Sequence, residues 1–391
     1  MGCMHTIALV LALVVALPGL ATVAHLGLLA LASLFYREPR GEGDDTLAFL
    51  VLMPAHDEEL VIRRSLEAIL ADVRPRDRVL VVADRCTDAT AAIARELGAE
   101  VLERGEDEEP GRAAARQAGL EHARGTAWDA VLMLDADSVI EPGFFDACER
   151  ALGDGVDAVQ ARSESSHGTT LAAEASLAAF TLQGITIPRG RSALGLSVRL
   201  RGTGMAIRRD VALAHRFRAP ASEDLFFTLD LLLDGHRCRH VDSARLRSEG
   251  ASGWQTFGGQ KVRYEAGRMS AARTYVPRLL RRALAHRDAA CLEAAWFLAT
   301  PPFAVAAVSL LLGAAVAAIG GAWTACAIFL GGVAVLACVL FTGLVQARAG
   351  LRTWLALASA PWYLAWKTVV QVRALISVLR RQDQFGPTAR L

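Results

Sequence analysis

The sequence predicts an open α/β sheet with helices on both faces, set between apolar segments at the two ends of the chain. Three observations predict it. Apolar runs of strand length alternate with helical stretches, each run ends in a polar loop bearing acids, and the apolar excess is gathered toward the termini. With 53% hydrophobic against 21% charged residues, the 391-residue chain is too apolar to be wholly soluble. The stretch 37–287 has an ordinary mix of charge, Gly and Pro and is long enough to bury its own core. A formal net charge of +1 argues against nucleic acid as a partner.

Within 37–287, Leu47–Met53, Arg78–Ala83 and Ala130–Leu134 are continuous apolar runs of strand length. Between them, Glu58–Asp72 carries Leu60, Val61, Ile69 and Leu70 at helical spacing, and Asp88–Leu97 is followed by Gly98 as a stop. Such alternation gives parallel strands buried on both faces, whose ligands bind outside the carboxyl ends.

The termini read as membrane segments. Ile7–Phe35 is an almost unbroken apolar run followed by Arg37 and Arg40, a retained anchor (1–36) that delivers the next domain to the cytoplasm. In the C-terminal region, 288–391, Ala294–Ile319 and Ala322–Leu344 are each long enough to cross, with Gly320-Gly321 as a hairpin between them. Arg268, Arg273, Arg278, Arg281, Arg282 and Arg287, unopposed by any acid, flank that pair on one side, and Arg348 and Arg352 on the other. Leu351–Leu379, interrupted by Pro361, Lys367 and Arg373 and followed by Arg380 and Arg381, reads as an interfacial or re-entrant helix. These segments show no ionisable pair at mid-depth; His25 is the nearest candidate, and a lone histidine there reads as one that hydrogen-bonds a neighbour. The scattered cysteines show no metal-ligand spacing and read as free thiols.

All three strands end in acids: Pro54-Ala-His-Asp-Glu-Glu59, Ala83-Asp-Arg-Cys-Thr-Asp88 and Asp135-Ala-Asp137. Asp88 suits a helix cap, and Glu58 and Glu59 suit a helix start. No such local duty is evident for Asp84, Asp135 or Asp137. In an extended chain, Asp135 and Asp137 project to one side, and a hard divalent cation, Mg²⁺ or Mn²⁺ holding a diphosphate, offsets their repulsion.

At these residues the chain resembles the family 2 glycosyltransferases, in particular the membrane branch of cellulose, chitin and poly-N-acetylglucosamine synthases. The first strand and loop are similar to Val51–Glu59, the uridine-contacting aspartate falls on Asp84, and the Asp-x-Asp pair falls on Asp135 and Asp137. Ser222-Glu223-Asp224 matches the acceptor-side motif, whose last aspartate is the family's catalytic base, and Gln260-Lys-Val-Arg263-Tyr264 matches Gln-x-x-Arg-Trp. Arg201-Gly202-Thr-Gly204-Met-Ala-Ile207 resembles a segment lining the acceptor pocket. Tyr264 stands in place of the usual Trp, His56-Asp57 in place of Tyr-Asn, and Gly111-Arg112 in place of Gly-Lys.

The resemblance implies a GT-A-like (Rossmann-like) open mixed sheet and inverting, metal-dependent transfer from a nucleotide-sugar, most simply a UDP-sugar. Pro54, Glu58, Asp84, Asp135 and Arg263 would meet the donor, and Asp135 and Asp137 the metal. Glu223, Gln260, Tyr264, Gly202 and Gly204 would meet the acceptor, a lipid-linked saccharide or growing polysaccharide, with Asp224 as base. The expected setting is the inner membrane of a bacterium, the catalytic domain facing the cytoplasm and an interfacial helix at about 253–269 lying on membrane lipid. Two alternatives stand beside this: a processive synthase that exports its polymer through a homo-oligomer or an export partner, and a non-catalytic nucleotide-sugar-binding scaffold.

Overall fold

The computed structural model describes residues 2–38, 46–153, 156–165, 171–217, 222–248 and 254–380. The chain divides into two compact units, one from Arg37–Ser166 and Leu196–Thr256, the other from Met1–Tyr36, His167–Gly195 and Phe257–Asp383. This differs from the continuous 37–287 domain expected, because 167–195 and 257–287 group with the apolar helices. Arg40 and Arg381, both charge markers in the sequence, lie outside the described residues.

The first unit is an eight-stranded mixed sheet of β1 (Phe49–Ala55), β2 (Arg78–Asp84), β3 (Glu100–Arg104), β4 (Ala130–Met133), β5 (Ser138–Ile140), β6 (Ala158–Ser165), β7 (Met205–Arg208) and β8 (Cys238–Ser248). Their spatial order is β3-β2-β1-β4-β7-β6-β8-β5. β1 pairs parallel with β2 and β4, and β2 with β3, whereas β7 runs antiparallel to β4 and β6. The three expected strands lie within two residues of their predicted bounds. Along β1, Phe49, Val51 and Met53 enter one core layer with the helices Ile62–Asp72 and Phe144–Gly153, while Leu50 and Leu52 enter the other with Arg112–His122 and Glu223–Asp234. Burial on both faces explains why β1 reads as unbroken apolar sequence. The first helix begins at Ile62 rather than Glu58, and the second spans Thr90–Glu96.

At the entry to β1, Glu149 Oε1 accepts the Leu47 N–H (2.7 Å) and Asp77 Oδ1 accepts the Phe49 N–H (2.8 Å). Arg74 joins the two acids, its Nε to Asp77 Oδ2 (2.8 Å) and its Nη1 to Glu149. Burial alone would push the Glu149 carboxyl up, but the Leu47 N–H and the Arg74 and Arg76 guanidiniums hold it below its ordinary value.

In the second unit the N-terminal helix runs Gly2–Ser33, and His5–Ser33 and Trp323–Gln346 are long and apolar enough to cross a membrane. The expected straight span 294–319 is instead a bent pair, Ala289–Ala299 and Phe303–Ile319, meeting at 61°. Pro301 and Pro302 break it, since neither has an N–H to continue the helix and proline disfavours helical geometry in the residue before it. The carbonyls freed at the break are taken up: Arg268 Nη2 donates to Phe297 O (2.7 Å) and Thr300 O (2.5 Å), and Thr22 Oγ1 donates to Pro301 O (2.9 Å). His25 is not alone, because its Nε2 lies 2.8 Å from Glu293 Oε1, which also receives Arg191 Nη2 at 2.9 Å. Helix Trp254–His286 continues well past the expected end near 269. The C-terminal stretch comprises Leu351–Ala356, a turn of 3₁₀ helix and Ala360–Leu379.

Two tests follow from this packing. Glu149→Gln should cost about 2 kcal/mol at neutral pH, because Arg74 keeps Asp77 but loses its second carboxylate and the Leu47 N–H loses a charged acceptor. The stabilisation from a lowered carboxyl pKa is complete above the unfolded value of about 4.3 and fades as pH falls through the folded value. Denaturation curves of wild type and variant should therefore converge in acid. In the apolar-helix unit, a Cβ on Gly190 would meet the Leu29 backbone, whereas Gly331 has open space around it. Gly190→Ala should lower the melting temperature in detergent by about 5 °C, and Gly331→Ala should not.

Candidate active site

The loops leaving β1 and β2 are laced together by the acids that the sequence put at their ends. Asp57 Oδ1 accepts the Thr87 N–H (2.7 Å), Asp88 Oδ2 accepts the Glu59 N–H (3.0 Å), and Glu59 Oε2 accepts the Ala89 N–H (3.0 Å). The Glu58 N–H donates to Thr90 Oγ1 (2.8 Å), and Glu58 O accepts the Ile62 N–H (3.0 Å). Asp88 Oδ1 also accepts the Thr90 N–H (2.9 Å), but the residue at the N-cap is Ala89, so Asp88 stands one position before the cap expected of it. Pro54 sits half-buried within β1, paired with Val82. Asp57, Cys86 and Asp88 offer ligand atoms within 4.8 Å of one another. Burial pushes the Cys86 thiol up, and both carboxylates already serve backbone donors, so these residues are accounted for as loop ties.

Asp84 has a local duty that the sequence did not disclose. It is buried at the end of β2, with Oδ1 on Arg104 Nη1 (2.6 Å) and Oδ2 accepting the Gly111 N–H (3.2 Å). Arg104 also holds Glu108 Oε2 (3.0 Å) and Glu109 O (2.7 Å), so the acidic loop after β3 closes against Asp84.

Asp135 and Asp137 do not lie in an extended chain. β4 ends at Met133, and Asp135 O accepts the Ser138 N–H (3.0 Å), a tight turn that contains Asp137. Period-two alternation holds only inside a strand, and the strand stops two residues too early. Both acids are nevertheless half-exposed while Ala136 and Ser138 are buried. Thr203 Oγ1 fixes the turn by accepting the Asp135 N–H (3.1 Å) and meeting Ser138 Oγ (2.8 Å).

Two arginines one helical turn apart on Arg112–His122 grip Asp135, Arg112 Nη1 at Oδ2 and Arg116 Nη2 at Oδ1, each at 3.3 Å. Arg116 is fully buried and reaches further, to Glu223 Oε1 (3.0 Å) and Gly202 O (2.6 Å), with its guanidinium 5.5 Å from the Phe217 ring centre. Gly202 and Gly204 have φ of +87° and +69°, and a Cβ on Gly204 would collide with Leu246. Those glycines shape a segment whose carbonyl serves Arg116.

Glu223 and Asp224 open the helix Glu223–Asp234. Ser222, at φ 61°, makes no side-chain cap bond to this helix. Instead Arg199 Nη2 lies 3.2 and 3.1 Å from the two carboxylate oxygens of Asp224, and the Leu225 N–H donates to Oδ1 (2.8 Å). The acids of this edge raise the pKa of Arg112: Asp135 most, then Glu223, Asp137 and Asp224. Of these acids Asp135 is the one in contact with Arg112, while Glu223 is held by Arg116 and Asp224 by Arg199.

Gln260, Arg263 and Tyr264 lie on helix Trp254–His286, which belongs mainly to the other unit, and Arg263 and Tyr264 are half-buried there. Arg116 and Arg199 escaped the sequence reading. The available signal was Arg112 and Arg116 at i, i+4 spacing, the second on the core face among Ala115, Gly119 and Leu120.

A family model described as Glycosyltransferase like family 2 matches residues 47–266, more than half of the chain. A segment of 99 residues is 32% identical to the probable glycosyltransferase YdaM of Bacillus subtilis (strain 168), and it spans 23% of this chain and 23% of that relative's length. Among solved structures, the mannosyltransferase PcManGT from Pyrobaculum calidifontis, in complex with GDP-Man and Mn²⁺, is similar over 97% of this chain and 99% of its own, with a TM-score of 0.55 at 17% identity. At that identity the likeness speaks for the fold alone. Glucosyl-3-phosphoglycerate synthase from Mycobacterium tuberculosis, in complex with Mn²⁺, UDP and phosphoglyceric acid, covers 56% of this chain and 76% of its own at 21% identity, with a TM-score of 0.42. With the mixed GT-A-like sheet and the acids at its strand ends, the match over 47–266 establishes that the chain belongs to the family 2 glycosyltransferases.

Proposed function

We propose that the chain transfers a sugar, with inversion, from a nucleoside-diphosphate sugar to a lipid-linked saccharide or growing polysaccharide at the cytoplasmic face of a bacterial inner membrane. The observation that carries this reading is the convergence of Asp135, Glu223 and Asp224 on Arg112, Arg116 and Arg199 at the carboxyl end of β4. A charged sugar diphosphate suits such an edge, where fixed cations meet its oxygens and carboxylates hold its counter-ion.

The donor set fits a hard divalent cation, since Asp135 and Asp137 offer carboxylate oxygens on one short turn. Bound there, Mg²⁺ or Mn²⁺ supplies positive charge to the diphosphate as it leaves. The remaining steps belong to the chain. Asp224 accepts the proton of the acceptor hydroxyl as that oxygen bonds the anomeric carbon and the bond to the diphosphate breaks. Arg199 aims the Asp224 carboxylate, and Arg116 fixes Glu223 beside it. Asp84, held by Arg104, is the acceptor for the base of the nucleotide, with Pro54 near the end of β1 and Glu58 on the loop after it. Arg263 would clamp a phosphate, and Gln260, Tyr264, Gly202 and Gly204 would line the acceptor side.

The membrane branch that makes cellulose, chitin and poly-N-acetylglucosamine is the part of the family this reading favours. It is supported by the two apolar helices His5–Ser33 and Trp323–Gln346. UDP-sugars are the donors of first choice. Polymer export would call for a homo-oligomer or a separate partner, and membrane lipid is the expected neighbour of helix Trp254–His286.

In the purified full-length protein, Asp224→Asn should lower transfer by about a thousandfold or more while donor binding, measured by calorimetry, stays within about threefold of wild type. Substantial transfer by that variant would remove Asp224 as the base.

A further inference from the structure

Asp135 is expected to hold a divalent cation, yet both of its oxygens already meet arginine nitrogens. The two arginines differ in freedom. Arg116 has a side-chain exposure of 0% and is fixed by Glu223, Gly202 O and the Phe217 ring. Arg112, at 46%, reaches solvent and hydrogen-bonds Asp135 alone among the described residues. It is the first residue of its helix, directly after Gly111 at φ +111°, whose N–H is tied to Asp84. The helix end is thereby fixed while the Arg112 side chain can swing.

A divalent cation on Asp135 Oδ2 would lie within a few ångströms of the Arg112 guanidinium, and like charges that share one carboxylate oxygen repel. One of them must move, and only Arg112 has solvent to move into. A nucleotide diphosphate beside the metal offers it a better place, because its planar fork of donors matches paired phosphate oxygens.

We propose that Arg112 is an exchangeable counter-ion: it neutralises Asp135, yields that oxygen to the metal, and transfers its hydrogen bonds to the donor diphosphate. This rests on the reading of Asp135 and Asp137 as metal ligands. Arg112 then couples the two binding events. Metal alone binds weakly because it must displace the guanidinium, and metal with nucleotide binds tightly because the displaced guanidinium finds a partner. By linkage, nucleotide tightens metal binding by the same factor that metal tightens nucleotide binding.

The test is binding without turnover. Mn²⁺ affinity of the full-length protein in detergent is measured by electron paramagnetic resonance titration, alone and with whichever of UDP and GDP the wild type binds. Arg112→Met should bind Mn²⁺ alone about three- to tenfold more tightly than wild type. With saturating Mn²⁺ it should bind the nucleotide about tenfold more weakly. Coupling between the two ligands should fall accordingly, and Arg112→Lys should fall between wild type and Arg112→Met, which guards against a folding defect in one variant. Asp135→Asn separates the two layers of the argument. If it binds Mn²⁺ as wild type does, the metal reading fails and the exchange falls with it. If Asp135→Asn loses Mn²⁺ but Arg112→Met binds it no more tightly than wild type, the metal site stands and the exchange is overturned.

Discussion

The acid-bearing edge of the sheet depends on one buried guanidinium. Arg116 is fully buried and joins three segments distant in sequence, the turn after β4 through Asp135, the start of the Glu223–Asp234 helix through Glu223, and the glycine segment before β7 through the Gly202 carbonyl. Taking a guanidinium out of water costs several kcal/mol, and two carboxylates with a carbonyl offset that cost only while all are in place. Such an arrangement is weak as a source of stability and strong as a source of geometry. A Cβ on Gly202 would stand 3.6 Å from Arg116 Nη2 and strain a backbone at φ +87°, so glycine keeps that carbonyl on its partner.

Around this post the other charges divide the work. Arg104 anchors Asp84 at the end of β2, Arg199 anchors Asp224, and Arg112 faces outward over Asp135. Asp84, Asp135, Glu223 and Asp224 thus each lie against an arginine, with Arg116 shared between Asp135 and Glu223. The fixed pairs set positions and the exposed one can respond to a ligand. The sheet contributes direction, because β1, β2 and β4 run parallel and deliver their terminal loops to one edge.

Much of this was legible in the sequence, for identifiable reasons. β1, β2 and β4 are buried on both faces, so their apolar runs needed no periodicity to be seen, and the acids that follow them stand out. β8 was not legible, because Cys238–Ser248 alternates Arg, His and Asp with small residues and gains its place only by pairing with β5 and β6 from far along the chain. The bent pair at Pro301-Pro302 carried its own signal, which overall hydropathy obscured. The turn at Asp135–Ser138 was misread because a strand's end is set by tertiary hydrogen bonds to Thr203, not by composition. Arg116 was hardest to see, since an arginine among alanines on a helix reads as a solvated face until its partners arrive from other segments. His25 shows the same limit, its partner Glu293 lying 268 residues away.

The central claim is that this acid and arginine edge binds a sugar nucleotide with a divalent metal and transfers the sugar. It is tested most directly by nucleoside diphosphate release from the purified full-length protein, run against a panel of sugar nucleotides with Mn²⁺, with Mg²⁺ and with chelator. At least one donor, a UDP-sugar first, is expected to turn over with metal and to stop on chelation. No turnover of any donor under any condition, or turnover indifferent to chelator, would contradict it.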